Sequence, residues 1–297
     1  MTKVLVVGAT GLVGSNLVKA CRERGNEVRA LVRPETMADK TKTSSLRTSG
    51  ATIFEGSLEN FDSLLKACEG IDVVISAVGG AQIMQQTALI QAARQASIQR
   101  FIPSDYGSDP KFVEKGSCIL FDQKAAIHKS IKESGLNYTL IHSHGFFEFW
   151  AYGLGQLGIF SPPEEVHFYG EGTAKVPLVS VSDVARVTAA CIDDPRTLNK
   201  DIYITTNVLS QAELIQVWET LSGKQVKRIP VGLEDLEQTI ASSNTPDTFL
   251  NLMFAQLLRT AWIHGDAVKR PKDALEATVL YPQIRFTTVK EALAQFV

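Results

Sequence analysis

The first half of the chain alternates short apolar runs with segments of helical periodicity. The apolar runs are hydrophobic at nearly every position, which is typical of strands buried on both faces of a parallel sheet. Between them, hydrophobic residues recur every three to four positions, as on one face of a helix. We predict strands at Val4–Val7, Val28–Val32, Thr52–Phe54, Asp72–Ser76, Arg100–Pro103 and Tyr138–His142. The predicted helices cover residues 12–24, 60–69, 82–97 and 119–134.

This repetition of strand and helix predicts the fold class. Repeated βα units with buried strands form a parallel, doubly wound sheet whose crossovers are right-handed. We therefore predict an α/β protein with a doubly wound parallel (Rossmann) sheet over residues 1–145. The segment 34–50 is polar and rich in Thr, Ser and Lys, and we expect it to be a mobile surface connection.

The rhythm of the sequence changes after residue 145. Helical patterns near 183–192, 210–222, 246–262 and 288–296 alternate with short β runs at Val166–Tyr169, Val176–Val181, Ile202–Thr205 and Val226–Ile229. We predict that residues 146–297 form a smaller C-terminal substrate-binding lobe, and leave open whether some segments return to the Rossmann sheet. Such a lobe would close over the carboxyl ends of the strands, where open α/β sheets bind ligands.

Three glycines, Gly8, Gly11 and Gly14, fall between the first predicted strand and the first predicted helix. In this context the first glycine allows a tight turn, the second lets the backbone approach a pyrophosphate, and the third permits close packing of helix on strand. The helix N-terminus presents N–H groups and the positive end of its dipole to phosphates. Three ordinary turn glycines are the alternative. We predict a dinucleotide site at Gly8, Thr10, Gly11, Leu12, Val13 and Gly14.

The end of the second strand selects between dinucleotides. An acidic residue there bonds the ribose 2′-hydroxyl of NAD, whereas an arginine accommodates the 2′-phosphate of NADP. This sequence places Arg33 at that position, and we expect Pro34 to turn the nearby Glu35 outward. Lys40 and Lys42 offer a second positive contact. The cofactor prediction is therefore NADP(H), with a solvated strand-end arginine as the alternative.

One lysine lies on the apolar face of the helix at 119–134. Leu120, Ile127 and Ile131 mark the buried stripe, and Lys124 falls within it. Such a lysine either extends its ammonium to the rim of the domain or occupies a polar cleft. In a cleft, desolvation would lower its pKa towards the range useful for acid–base catalysis. Lys124 is the candidate catalytic residue, and a structural lysine is the alternative.

Composition and charge exclude several function classes. The formal net charge of −2 gives no field that would collect nucleic acid or an anionic membrane, so neither is a predicted partner. No apolar run approaches the roughly 20 residues of a spanning helix, and no signal peptide is visible. The four cysteines form no CxxC pair, which favours a reducing, cytoplasmic location. His142 and His144 share a strand face without a third ligand, so we predict no metal.

The segment Phe101–Gly107, read as F-I-P-S-D-Y-G, resembles the F-x-P-S-E-F-G segment of the isoflavone reductase-like proteins, within the NmrA-like atypical short-chain dehydrogenases. The glycine turn and the position of Lys124 match this family as well. The resemblance runs nearly end to end. Further matching segments are Tyr169–Gly172, Val181–Ala185 and the tail Leu280–Val289.

The resemblance implies an activity. In that family the lysine matching Lys124 is taken as the general acid/base, and the enzymes reduce isoflavones, lignans and benzylic ethers or esters. It thus implies an NADPH-dependent reductase of a small aromatic, phenylpropanoid-like substrate. Ordinary short-chain dehydrogenases carry Tyr-x-x-x-Lys on this helix, and here Leu120 stands at the tyrosine position. The alternative is a non-catalytic, redox-sensing regulator that binds NADP(H).

The predicted site extends beyond these motifs. We expect cofactor contacts also from Ala77, Val78, Ser104 and Lys124. The predicted substrate contacts are Tyr106, His144, Phe146 and Phe147. Core packing is the alternative for most of the aromatic run at 146–152, because large aromatic residues usually fill cores. The sequence leaves a monomer and a homodimer both open.

Overall fold

The computed structural model describes residues 1–243 and 245–297, which divide into two units. Unit 1 comprises Met1–Asp105, Gln123–Ile141 and Val181–Ile202. Unit 2 comprises Tyr106–Asp122, His142–Ser180 and Tyr203–Val297. The chain therefore passes between the units several times, whereas the predicted division lies at residues 145 and 146. The roles of a cofactor domain and a substrate lobe stay predictions.

Unit 1 is built on a sheet of five parallel strands in the order β3-β2-β1-β4-β5. The apolar runs of the sequence form these strands, each within one residue of its predicted ends. The elements up to residue 142 are β1 Lys3–Val7, α1 Leu12–Glu23, β2 Glu27–Val32, α2 Pro34–Met37, α3 Lys40–Thr48, β3 Thr52–Glu55, α4 Phe61–Cys68, β4 Val73–Ser76, α5 Gln86–Gln95, β5 Arg100–Ile102, α6 Ile119–Ser134 and β6 Thr139–His142.

The strand order reverses at β1, which pairs with β2 on one side and with β4 on the other. Val4 is opposite Val28 in one pairing and opposite Val73 in the other. The Phe101–Tyr138 bridge extends the sheet beyond β5 towards β6. A doubly wound sheet with this reversal opens a crevice at the carboxyl ends of β1 and β4. The architecture is the predicted Rossmann type.

The segment Val181–Ile202 belongs to unit 1 because its helix packs on a helix of that unit. The helix α7, Val181–Cys191, packs on α1, and its residues are almost all buried. Next to it, the Thr2 hydroxyl donates to Asp193 Oδ1 at 2.6 Å. An apolar helix of this kind completes the cover of the sheet.

The segment 34–50 folds into helices, so its prediction as a mobile surface connection is wrong. Pro34 begins α2 in the favoured first position of a helix. The Asp39 carboxylate caps α3 by accepting from the backbone N–H groups of Thr41 and Lys42 at 3.0 and 3.2 Å. Leu46 is buried on the inner face of α3. The Asp39 cap and the burial of Leu46, Thr43 and Thr36 accompany helix formation in a segment whose composition is mostly polar.

Unit 2 contains short strand pairs and several helices. Parallel pairs join β8 (Glu165–Tyr169) to β13 (Lys227–Val231) and β7 (Gly145–Phe146) to β10 (Leu178–Val179), and an antiparallel pair joins β9 (Lys175–Val176) to β12 (Leu209–Ser210). The predicted strand 176–181 is interrupted at Pro177, and the helix α9 was not predicted. Apart from α7, the strands and α-helices after residue 142 are β7 Gly145–Phe146, β8 Glu165–Tyr169, β9 Lys175–Val176, β10 Leu178–Val179, β11 Lys200–Tyr203, β12 Leu209–Ser210, α8 Gln211–Ser222, β13 Lys227–Val231, α9 Leu233–Ser242, α10 Phe249–Leu258, β14 Leu275–Glu276, α11 Ala277–Leu280 and α12 Val289–Leu293. Of these, β11 lies mainly in unit 1.

The core of unit 2 is rich in aromatic side chains. Trp150 and Trp262 meet edge to face with ring centroids 5.8 Å apart. The Trp262 indole N–H donates to Gly155 O at 2.8 Å, so its polar atom is satisfied inside the core. Phe147 is fully buried in the same cluster. In the part of the chain that the structure describes, no helix has both the length and the apolar character to cross a bilayer.

Candidate functional site

A cavity of about 280 Å³ lies at the carboxyl ends of β1, β2 and β4, where the strand order reverses. This is the position at which doubly wound sheets bind their ligands. Six of the residues predicted to bind the cofactor line it together: Gly8, Thr10, Gly11, Arg33, Ala77 and Val78. The first half of the predicted site is thus assembled in one place.

The glycines at the two ends of the turn are required by the packing of unit 1 itself. Gly8 has φ +80°, and a Cβ there would lie 2.4 Å from Ala77 O. A Cβ on Gly14 would lie 2.1 Å from Gly8 O. Both distances exclude any side chain, so Gly8 permits the turn and Gly14 lets α1 pack closely on β1.

Gly11 differs from these two glycines because the packing of unit 1 opposes a side chain there much less strongly. It caps α1 with φ −79°, and a Cβ at this position would meet only Gly8 O, at 3.3 Å. The first turn of α1, which begins at Leu12 and Val13, carries no acidic side chain. The space over Gly11 and the positive end of the helix dipole are therefore available to an anion.

Arg33 lines the cavity and pairs with an acid that we expected to point away. Arg33 Nη1 lies 3.1 Å from Glu35 Oε1, and both side chains are about two-thirds exposed. The prediction that Pro34 turns Glu35 outward is wrong, because Pro34 begins α2 and its first turn brings the carboxylate back to the guanidinium. An exposed pair of this kind is worth about 0–1 kcal/mol, so a phosphate can displace it. Lys42, which the sequence offered as a second positive contact for the phosphate, has its Nζ 3.6 Å from Asp39 Oδ2.

Several residues that line the cavity were missed from the sequence. They belong to the loop after β3 (56–59) and to the turn after β4, where Gln82 and Gln85 lie. The signal was available, because β3 neighbours β2 and parallel strands end at the same edge of a sheet. The predicted cofactor site should therefore have included the loops that follow β3 and β4.

Ser104 holds the ends of two strands together. Its backbone N–H donates to Gln86 Oε1 and its hydroxyl donates to Val78 O, both at 2.8 Å. Ser104 is buried and is not among the described residues that line the cavity. Its bond nevertheless fixes Val78, which does line the cavity, while its own contact with the cofactor stays a prediction.

Lys124 is buried on α6, as its position in the apolar stripe predicted. The side chain is 5% exposed, and Nζ donates to the backbone oxygen of Asp105 at 2.9 Å. One helical turn later, His128 Nε2 lies 2.8 Å from Asp105 Oδ1. Leu120, at the tyrosine position, packs against a small apolar cluster around Phe121. The arrangement brings the Lys124 ammonium to the backbone oxygen of Asp105 and the His128 imidazole to its carboxylate.

The residues predicted to contact substrate belong to unit 2. Tyr106 and Phe146 are partly buried, His144 is buried, and Phe147 is fully buried. The complete burial of Phe147 favours core packing, the alternative expected for most of the aromatic run. Phe146 instead begins a row of rings: its centroid lies 6.3 Å from that of Phe149, which lies 6.0 Å from that of Phe160. Phe160 is exposed, so the row ends at the surface of unit 2.

The two histidines after β6 have different surroundings. His142 Nε2 lies 3.9 Å from Asp109 Oδ2, which also accepts a hydrogen bond from the Tyr203 hydroxyl at 2.5 Å. His144 has φ +58°, and burial lowers the pKa of its imidazole from 6.5 to about 3. His144 is thus a neutral hydrogen-bonding group at physiological pH. Within residues 1–243 and 245–297, no cluster of three His, Cys, Asp or Glu side chains could hold a metal ion.

His144 should make the protein sensitive to acid. Between pH 6.5 and 3 the unfolded chain binds a proton at this imidazole that the folded chain does not, so the free energy of unfolding falls as the pH falls. The loss attributable to His144 at about pH 5 is about 2 kcal/mol. The His144→Asn variant, which tolerates the left-handed backbone, should lack this loss.

Urea unfolding at pH 7.5 and at pH 5 measures both proteins. His264→Asn, at an exposed histidine, is the matched control and should lose as much stability on acidification as the parent. An identical loss in the parent and in His144→Asn would contradict the prediction.

Known proteins match this chain over nearly its whole length, in sequence and in structure. The model of the NmrA-like family matches residues 1–293. A phenylcoumaran benzylic ether reductase of Ginkgo biloba is 35% identical over 310 residues, covering 100% of this chain and 99% of the relative. A bifunctional pinoresinol-lariciresinol reductase of Linum usitatissimum is 36% identical over 316 residues, covering 100% and 94%. The solved structure of AtPrR2 with NADP+ and (+)-pinoresinol superposes with a TM-score of 0.90 at 34% identity, covering 100% of this chain and 99% of that one.

Proposed function

The chain belongs to the NmrA-like family, and on that premise we propose that it is an NADPH-dependent reductase of a small aromatic, phenylpropanoid-like substrate. The family and the α/β fold class predicted from the sequence are confirmed. The predicted oxidoreductase class and cofactor agree with relatives that are named as reductases and with related structures solved with NADP+ or NADPH. The substrate class and the roles of individual residues are proposals for this chain.

The open position over Gly11 carries the proposal for the cofactor. Packing excludes a side chain at positions 8 and 14 but constrains position 11, at the N-terminus of α1, much less. A pyrophosphate accounts for this space, because it needs close approach to backbone N–H groups. Arg33 lines the same cavity and supplies a cation for the 2′-phosphate.

Lys124 is proposed as the proton donor of the reduction. When bound, NADPH supplies the hydride. The protonated lysine has three N–H donors, one of which bonds Asp105 O. A buried ammonium held by a neutral carbonyl is suited to donate a proton to the oxygen atom that leaves or forms during reduction. This role replaces the phenol that the Leu120 position lacks.

The aromatic character of unit 2 supports a flat aromatic substrate. Phe146 and Tyr106 present ring surface that stacks well on aryl groups, and the neutral imidazole of His144 can bond a substrate hydroxyl or carbonyl. Contact with Phe147 stays a prediction. We further propose a cytoplasmic location from the cysteine pattern, and a monomer and a homodimer both stay open.

The experiment that tests the function follows NADPH oxidation with a panel of isoflavones, lignans including pinoresinol, benzylic ethers and quinones. The reductase proposal expects turnover of at least one member and none in its absence. Tight NADPH binding without turnover of any member would favour the redox-sensing regulator instead. The panel also identifies the substrate for the variants described below.

Cofactor preference tests the role of Arg33. A charge-assisted bond to the 2′-phosphate is worth about 1.5–3 kcal/mol, so NADPH should bind roughly 10- to 150-fold more tightly than NADH. Arg33→Ala should remove most of that difference. Glu35→Gln, which removes the competing carboxylate, should tighten NADPH binding by about 2- to 5-fold, the scale of an exposed pair.

Fluorescence titration gives the dissociation constants of both cofactors for each variant. Arg24→Ala, at the far end of α1, is the control and should leave both constants unchanged. Equal affinity of the parent protein for NADPH and NADH would overturn the assignment.

A further inference from the structure

Three buried polar residues meet at the end of β5, and the proposed reaction accounts for only one of them. Lys124, His128 and Asp105 are 5%, 6% and 1% exposed. Burying polar and charged groups costs free energy unless they bond one another. The reaction explains why the lysine is inside, but it gives no reason for a carboxylate and an imidazole beside it.

Asp105 contacts both α6 side chains through different atoms. Lys124 and His128 are four residues apart, so they lie on the same face of the helix. The Lys124 ammonium donates to the main-chain oxygen of Asp105 at 2.9 Å, and His128 Nε2 lies 2.8 Å from carboxylate Oδ1. The imidazole engages the charged end of Asp105, while the lysine is bound to its neutral carbonyl.

The main chain just before this carbonyl is itself fixed on the sheet side. The Asp105 N–H donates to Pro103 O at 2.9 Å, and the preceding residue, Ser104, is tied to Val78 and Gln86. The carboxylate contact with His128 anchors the same residue to α6. Asp105 is thus held from both directions, and its carbonyl has a defined orientation.

We propose that Asp105 and His128 are positioning residues for Lys124. The inference rests on the proposed function, because it assigns the pair a role only if Lys124 donates the proton. The His128–Asp105 contact orients the carbonyl that aims the ammonium. A lysine side chain has four rotatable bonds, so a fixed acceptor decides where its Nζ lies.

Loss of the pair should therefore act on turnover through the lysine. His128→Leu removes the imidazole, and we expect kcat to fall by about 10- to 100-fold, the scale of a misplaced catalytic group. KM for the panel substrate and Kd for NADPH should stay within about 2-fold, because the phosphate contacts proposed for NADPH and the aromatic contacts proposed for the substrate lie on other residues. His128→Gln, which keeps a side-chain N–H, should recover most of kcat.

A double-mutant cycle separates positioning from a structural role. If His128 acts through Lys124, His128→Leu should lower kcat by less than about 2-fold in the Lys124→Ala background, although it lowers kcat strongly in the parent. Thermal unfolding of each protein checks that the variants are folded. Should His128→Leu fail to fold, the same cycle is run with His128→Gln and with Asp105→Asn. Lys129→Ala, at the exposed neighbour of His128, is the control.

The outcomes distinguish the two proposals. An undiminished kcat in Lys124→Ala would overturn the proposed role of the lysine, and this inference with it. If Lys124→Ala lowers kcat and the His128 variant lowers it further in that background by the same factor as in the parent, Lys124 remains the proton donor. The positioning role of His128 would then be overturned. A lowered kcat in the single variants with no further loss in the double variant supports the inference.

Discussion

Lys124→Ala is expected to lower kcat by about 10²–10⁴-fold, the usual contribution of a positioned general acid. The ammonium is buried and bound to Asp105 O, so its removal takes away the proposed proton donor. The affinity for NADPH should change by only a few-fold, because the proposed phosphate contacts lie at Gly11 and Arg33. Steady-state kinetics with the best panel substrate and a fluorescence titration of NADPH measure the two quantities.

Two exposed lysines of α6 serve as controls. Lys129→Ala and Lys132→Ala remove the same charge from the outer face of the helix and should leave kcat within about 2-fold, since surface substitutions change little. If Lys124→Ala turns over as fast as these controls, another group supplies the proton. Tyr106 or a water molecule would then be the next candidate.

The strands of unit 1 could be predicted closely because their burial shows directly in the sequence as an unbroken run of apolar residues. A parallel strand covered on both faces is apolar throughout, and β1 and β4 are fully apolar over most of their length. The cavity followed from the same pattern, because the carboxyl ends of such strands are fixed once the order is known. Gly8, Gly11 and Arg33 therefore met where they were expected.

The helices in 34–50 and the Arg33–Glu35 pair depend on specific contacts that amino-acid composition does not reveal. The helical structure of 34–50 depends on the Asp39 cap and on the burial of Leu46 and Thr43. The Arg33–Glu35 pair arises because Pro34 begins a helix instead of an outward turn. A capping acid followed by a short helical pattern was the available signal, and it was outweighed by the polar composition.

His128 shows where the sequence held more information than the prediction used. It follows Ile127 and lies one turn after Lys124, so it falls on the same buried stripe. A second buried titratable side chain on that stripe indicates that a polar residue elsewhere in the fold contacts it. The helical pattern alone does not show which residue that is. Asp105 is distant in sequence and reaches α6 only through the fold of the sheet.

Gly11→Val is expected to abolish cofactor binding while leaving the protein folded. A valine side chain would occupy the space over the N-terminus of α1 and force the pyrophosphate away from its N–H groups. Losing two charge-assisted hydrogen bonds costs about 3–6 kcal/mol, which raises Kd for NADPH by roughly 10²–10⁴-fold. Unit 1 should tolerate the change, since a Cβ at Gly11 meets only Gly8 O, at 3.3 Å.

Gly232 provides the matched control for this substitution. It also caps a helix, α9, with φ −88° beside the −79° of Gly11, and a Cβ there would meet only Asp235 Oδ2, at 3.6 Å. Gly232→Val therefore places a valine at a second helix cap without touching the cavity, and NADPH affinity should match the parent. Circular dichroism checks the fold of both variants, and fluorescence titration gives Kd. If Gly11→Val binds NADPH as tightly as Gly232→Val, the pyrophosphate does not lie over Gly11, and the cofactor must enter the cavity in another orientation.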